Sequence, residues 1–219
     1  MALILYHHPF SRAAGVVWTL EELGQSYELR FVDIRKGAQK APELTALNAM
    51  GKIPVLVDDD VVVTESAAIS LYLADRYASG TLAPTLDDPR RGTYLRWALF
   101  APSVIEPGSM AHSSGWDYQA GQAGWGDHAS MLAAIDAAVG GKDYLLGHMF
   151  SVADIIFGGT LRYMARVKSL SPSPAVAEYL ARLDARPALQ RADARNAAVT
   201  AMSTSVSAWV RGAASEVCT

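Results

Sequence analysis

A change of hydrophobic period near residue 80 constrains this chain more than any other feature of its sequence. Before it, apolar residues come in short blocks broken by turn signals, with helical spacing only between the blocks. After it, every periodic stretch has helical spacing. Such a pattern predicts a mixed α/β unit followed by an all-helical one.

The first part reads element by element. Ala2–Tyr6 is a short apolar run stopped by His7, His8 and Pro9, hence a strand. Ala13, Val16, Val17, Leu20 and Leu23 then fall at helical spacing, and Gly24 supplies a stop. Tyr27–Ile34 reads as a second strand, Pro42–Leu47 as a short helix and Asn48–Lys52 as a loop. Pro54–Val57 and Val61–Thr64 flank three aspartates and form a hairpin signal. A helix opens near Glu65, with Ile69, Tyr72, Leu73 and Tyr77 on one face. The first two strands, joined by a helix, should run parallel.

Residues 1–78 are therefore expected to form one domain, 79–88 a linker carrying Gly and Pro, and 89–219 a helical domain. In the latter, Pro102 and Pro107 should bend or end the helix that starts near Pro89. His112–Gly126 reads as a loop and Asp127–Val139 as a helix. Ser151-Val-Ala-Asp154 resembles a capping box that opens the clearest helix of the chain. Its apolar face holds Ala153, Ile156, Phe157, Leu161 and Met164, while Ile155 and Val167 extend the apolar surface. Further helices start near Pro174 and Pro187, since proline suits the first helical position.

With 51% hydrophobic residues in 219, the chain can bury a substantial core. Nineteen basic against 22 acidic residues, with no basic block, exclude a surface built to track a phosphate backbone, so no nucleic-acid partner is expected. One cysteine, Cys218, allows neither an internal disulfide nor a CxxC pair. The apolar run at the N-terminus is too short for a signal peptide, and no stretch approaches the roughly 20 apolar residues that span a bilayer. A soluble cytoplasmic protein with no membrane partner is the expectation.

Sites for chemistry are few. His7, His8, His112, His128 and His148 include no i, i+4 pair, and no metal is expected. Nucleophile-elbow and glycine-rich nucleotide motifs are missing. What remains is Ser11 with Arg12 before the first helix, and Glu65-Ser66 at another helix start. Helix N-termini attract anions, so these two could hold two negative groups of one ligand. Ser11 could equally cap its helix, and Glu65 could sit in a first turn for ordinary dipole reasons.

The segments Asn48-Ala-Met-Gly-Lys-Ile-Pro-Val-Leu56, Thr64-Glu-Ser-Ala-Ala-Ile69 and Tyr72-Leu-Ala-Asp-Arg-Tyr77 carry a resemblance, joined by Leu146–Asp154 and Arg186–Arg191. Together they resemble the cytosolic glutathione transferases over nearly the whole chain. That resemblance implies a thioredoxin-like N-terminal domain, an all-helical C-terminal domain and a homodimer. It also implies a cis Ile53–Pro54 bond, with the Ile53 backbone pairing with glutathione as an added strand. Glu65 would hold the γ-glutamyl amine and Ser66 its carboxylate. Lys40 and Lys52 match positions near the glycine carboxylate in the plant phi class.

His8-Pro-Phe-Ser11 resembles the phi-class motif in which the serine donates to the glutathione sulfur, so Ser11 is the implied catalytic residue, assisted by Arg12. A free thiol has a pKa of about 8.5, and a donor beside it favours the reactive thiolate. Tyr6 is an alternative activator, and His7 or His8 could be neighbours of the site. Without a cysteine here, transfer chemistry is favoured over disulfide exchange. Phe10, Met110, His112, Trp116 and Tyr163 are the candidates for contact with a hydrophobic electrophile, or else they fill the core. A non-catalytic binding or interaction module is the alternative function, and a glutathione-dependent isomerase a third.

Overall fold

Leu3, Leu5 and His7 are buried while Ile4 and Tyr6 are only half so, and this alternation makes Leu3–His7 the first strand, β1. The computed structural model to which it belongs describes residues 3–199. By its internal contacts the chain divides into two units: the residues up to Glu65 together with 187–199, and Ser66–Arg186.

In the first unit, helix α1 (Ala13–Leu23) buries Ala13, Val16, Val17 and Leu20 completely, the face its spacing predicted. It ends where Gly24 turns left-handed (φ 65°) and returns its N–H to the Leu20 carbonyl. Strand β2 (Tyr27–Phe31) pairs parallel with β1, as expected for strands linked by a helix. It stops three residues short of the expected Ile34. Asp33 accepts the Arg35 N–H through its side chain and turns Ile34–Lys36 into a 3-10 segment, followed by another at Ala38–Lys40. After α2 (Pro42–Leu47) come β3 (Val55–Asp58) and β4 (Val61–Thr64), an antiparallel hairpin. The sheet order is β2-β1-β3-β4.

Residues 187–199 are helical (α9) and belong to this unit. Arg191 donates to the nearly buried Glu21 of α1 at 2.9 Å, Arg195 pairs with the same carboxylate, and the Tyr27 phenol donates to it at 2.6 Å. His7 donates from Nε2 to Asn196 Oδ1 at 2.7 Å.

The second unit is helical: α3 (Ser66–Tyr77), α4 (Arg91–Phe100), α5 (Glu106–Ser113), α6 (His128–Val139), α7 (Val152–Arg166) and α8 (Pro174–Asp184). Pro102 neither ends nor breaks the run from α4 to α5. A π-helical stretch, Ala101–Ile105, widens the turn around it, and Pro107 falls in the first turn of α5. The stretch between α3 and α4 is an ordered set of turns whose Leu82 carbonyl accepts the first N–H of α7. Helix α7 opens on the expected capping box, Ser151 with Asp154. It buries Ala153, Ile155, Phe157, Leu161 and Met164, whereas Val167, past its end, is half exposed instead of adding to the apolar core. Among the described residues no helix is long and apolar enough to cross a membrane.

Candidate functional site

Register alone gathers the first site residues. Tyr6 of β1 stands opposite Val55 of β3, and Val55 opposite Thr64 of β4. The chain leaves β1 one residue beyond Tyr6, enters β3 at Val55 and leaves β4 at Thr64. The loop with Ser11 and Arg12, the Ile53–Pro54 dipeptide and Glu65 therefore emerge at one end of the sheet, on strands about 4.8 Å apart.

Ser11 is half-buried and fully engaged. Its hydroxyl donates to the His8 carbonyl at 2.7 Å and accepts the Ala13 N–H at 3.2 Å. It thus caps α1 from one residue outside the N-cap position, where Arg12 supplies no side-chain cap. Ala14 and Gly15 also bond backwards, to the Ser11 and Arg12 carbonyls. The start of α1 offers a dipole, but these amides already have partners.

A second loop precedes the cis Ile53–Pro54 bond, which has the isomer that the resemblance implied. Asn48, 8% exposed, donates from Nδ2 to the Lys52 carbonyl at 2.9 Å and accepts the Met50 N–H at 3.1 Å. Lys40 donates to the Met50 carbonyl at 2.9 Å and lies across Gly51, whose φ of 56° and lack of a Cβ leave it room. Lys52 is exposed, Ile53 half-buried and Pro54 buried.

Glu65 carries φ of 68°. Among the described residues two other non-glycine residues have positive φ, Asp59 (51°) in the hairpin turn and Lys168 (59°) just past α7, where left-handed residues are ordinary. At a strand–helix junction the conformation costs about 1 kcal/mol or more, and such strain clusters at functional sites. Glu65 is exposed, and Ser66, half-buried, follows it as the first residue of α3.

The alternative activators have other partners. The Tyr6 hydroxyl accepts from Arg30 at 3.2 Å, and His7 is wholly buried with Asn196 as its partner. Burial holds the His7 pKa below 6.5 against its bond to Asn196. Phe10 is 61% exposed, with the Arg35 guanidinium 5.0 Å from its ring centre.

In the helical unit Met110, Trp116 and Tyr163 are about half exposed and so do not fill its core. Met110 and His112 share α5 but stand two residues apart, so they face different ways. The His112 ring stacks flat on His128, with centroids 3.7 Å apart. Burial and the neighbouring His112 hold the His128 pKa below 6.5.

Asn48 has no role in the sequence reading, yet it holds a loop at this end of the sheet, and His8, expected only as a neighbour of the site, holds the other. The signal for Asn48 was available: an Asn three residues before a Gly is turn chemistry.

Two family models match the chain: Glutathione S-transferase, N-terminal domain, over residues 1–75, and Glutathione S-transferase, C-terminal domain, over residues 119–182. Glutathione S-transferase 2 of Schizosaccharomyces pombe is 31% identical over 174 residues, covering 68% of this chain and 71% of the relative. Glutathione S-transferase F10 of Arabidopsis thaliana is 32% identical over 168 residues, covering 71% and 77%. The crystal structure of glutathione transferase URE2P6 from Phanerochaete chrysosporium, in complex with oxidized glutathione, is similar at a TM-score of 0.75 and 28% identity, covering 90% of this chain and 97% of that one.

Proposed function

The chain belongs to the glutathione S-transferase family, and from that premise we propose that it binds glutathione as co-substrate and transfers its thiolate to hydrophobic electrophiles. The observation that carries this reading is the row Tyr6–Val55–Thr64, from which the Ser11 loop, Ile53–Pro54 and Glu65 all depart. Ile53 would pair with the cysteinyl backbone of glutathione, and Glu65 and Ser66 would take the amine and carboxylate of its γ-glutamyl end. Lys40 and Lys52 would approach the glycine carboxylate.

Ser11 has one hydroxyl proton. In the structure the hydroxyl donates it to the His8 carbonyl. To activate the thiol it turns to the sulfur while Oγ keeps the Ala13 N–H, with Arg12 adding positive charge. Each unit by which the thiol pKa falls corresponds to about 1.4 kcal/mol in favour of the thiolate. Phe10, Met110, His112, Trp116 and Tyr163 are proposed to contact the electrophile. The active form is proposed to be a cytoplasmic homodimer, and a sedimenting species of 23.4 kDa at micromolar concentration would overturn the dimer.

A second reading, glutathione held without turnover, draws on that same Ser11–His8 bond. The test is thiolate absorbance of bound glutathione against pH, in wild type and Ser11→Ala. A pKa lowered in wild type and restored in the variant supports Ser11 as activator. Binding without a lowered pKa favours the second reading, and no binding removes the transferase reading in favour of a non-catalytic ligand-binding or protein-interaction module.

A further inference from the structure

Three hydrogen bonds converge on one residue of the Ser11 loop. The Phe10 N–H donates to His8 Nδ1 at 3.1 Å, and the His8 carbonyl accepts both the Ser11 N–H at 3.0 Å and the Ser11 hydroxyl at 2.7 Å. His8 is 3% exposed, and its ring centre lies 5.4 Å from that of Phe31 and 5.7 Å from that of Phe10. Its side chain thus ties down residue 10, and its backbone residue 11.

An imidazole accepts at Nδ1 only while that nitrogen has no proton, so the bond from Phe10 fixes the tautomer with hydrogen on Nε2. We propose that His8 is a positioning residue for Ser11: its open Nδ1 holds the turn that presents the serine, and a proton on Nδ1 releases that turn. Adding the proton turns an acceptor into a donor that faces another donor, the Phe10 N–H. The charged groups that face the ring are Arg35 and Asp33, on the segment after β2, and His7 precedes it in the chain. Burial and the Arg35 charge hold the His8 pKa below 6.5, and Asp33 opposes them less. The turn is therefore intact at neutral pH and opens in mild acid.

This deepens the transferase reading and rests on it for the role of Ser11, but the loop can be tested without glutathione. Amide exchange and NMR shifts of residues 8–14 are followed against pH in wild type, His8→Asn and His8→Gln. Asparagine places its Oδ1 near the Nδ1 position and keeps the acceptor, whereas glutamine does not. The expected result is a Phe10 amide that titrates with His8 in wild type, stays protected without titrating in H8N, and exchanges about tenfold faster in H8Q.

The thiol pKa of bound glutathione should then rise in H8Q and match wild type in H8N. A Phe10 amide indifferent to pH, or equally protected in H8Q, overturns the proposal. A lowered thiol pKa that is the same in all three proteins overturns it as well. If the loop behaves as expected but wild type binds no glutathione, His8 holds the turn and the transferase reading falls.

Discussion

The Tyr179 phenol donates to Asp154 Oδ1 at 3.0 Å, and neither side chain is more than 1% exposed. The same carboxylate accepts the Leu145 N–H at 2.9 Å and, from Ser151, the N–H at 2.9 Å and the hydroxyl at 3.1 Å. It thereby joins the turn before α7, the start of α7 and a residue of α8. Asp154→Ala strands several buried donors and should cost about 3 kcal/mol or more in urea unfolding. Tyr179→Phe, which loses one donor and leaves the others paired, should cost about 1 kcal/mol.

Stability should depend on pH with opposing signs. His7 and His8 have folded-state pKa values held below 6.5, chiefly by burial. The unfolded chain therefore binds more protons, and stability is lost as pH falls below 6.5. Burial lifts the Asp154 carboxyl from 3.8 to about 6, so its contribution is full below 3.8 and is lost as pH rises through 6. Between pH 7 and 5, His8→Asn should flatten the decline in unfolding free energy towards acid, and Asp154→Asn should steepen it.

Glu21 offers a test of how α9 is held. Its side chain, 7% exposed, receives Arg191, Arg195 and Tyr27, while each arginine is 55% exposed. Glu21→Ala should destabilise by about 2–3 kcal/mol and speed amide exchange in 187–199. Arg195→Ala, which leaves Arg191 and Tyr27 in place, should cost about 1 kcal/mol or less.

Gly158 sits inside α7, where alanine would ordinarily stabilise. Here an added Cβ would stand 2.2 Å from Leu183 Cδ1 and 3.2 Å from the Tyr179 ring. Gly158→Ala should lower the melting temperature, by the equivalent of about 1–3 kcal/mol. Combining it with Leu183→Ala should cost less than the two single losses added together.

Glu65→Gly should separate folding from binding. Glycine accepts the φ of 68° at no steric cost, so thermal stability of the ligand-free protein should hold or rise by up to about 1 kcal/mol. Calorimetry should show glutathione affinity down at least tenfold, because the carboxylate that would meet its amine is gone. Equal affinity in the variant would remove Glu65 from the site.

Most elements were legible because local and tertiary forces agree in them. Gly24 ends α1, and Pro42 and Pro174 open α2 and α8 where the sequence pattern placed them. The pattern misled where one side chain competes with the regular ladder. Asp33 captures an amide and shortens β2, and the backbone widens to a π turn around Pro102. In the site, the residue types at Ser11, Ile53–Pro54 and Glu65 could be read through a resemblance, but not the hydrogen bonds at Ser11 or the backbone of Glu65. The Ser11 hydroxyl bonds to His8 through that residue's carbonyl, an atom every residue carries and no side-chain pattern reveals.

The grouping of α9 with the first 65 residues has a consequence for biosynthesis. Everything from Ser66 to Arg186 is translated between the two parts of that unit, a delay of roughly ten seconds at ordinary elongation rates. The helical unit, contiguous in the chain, has all its parts before the α/β unit does, although it is begun later. Until Arg191, Arg195 and Asn196 leave the ribosome, Glu21 and His7 lack the partners that match them in the finished protein. The segment made first is the one that closes last.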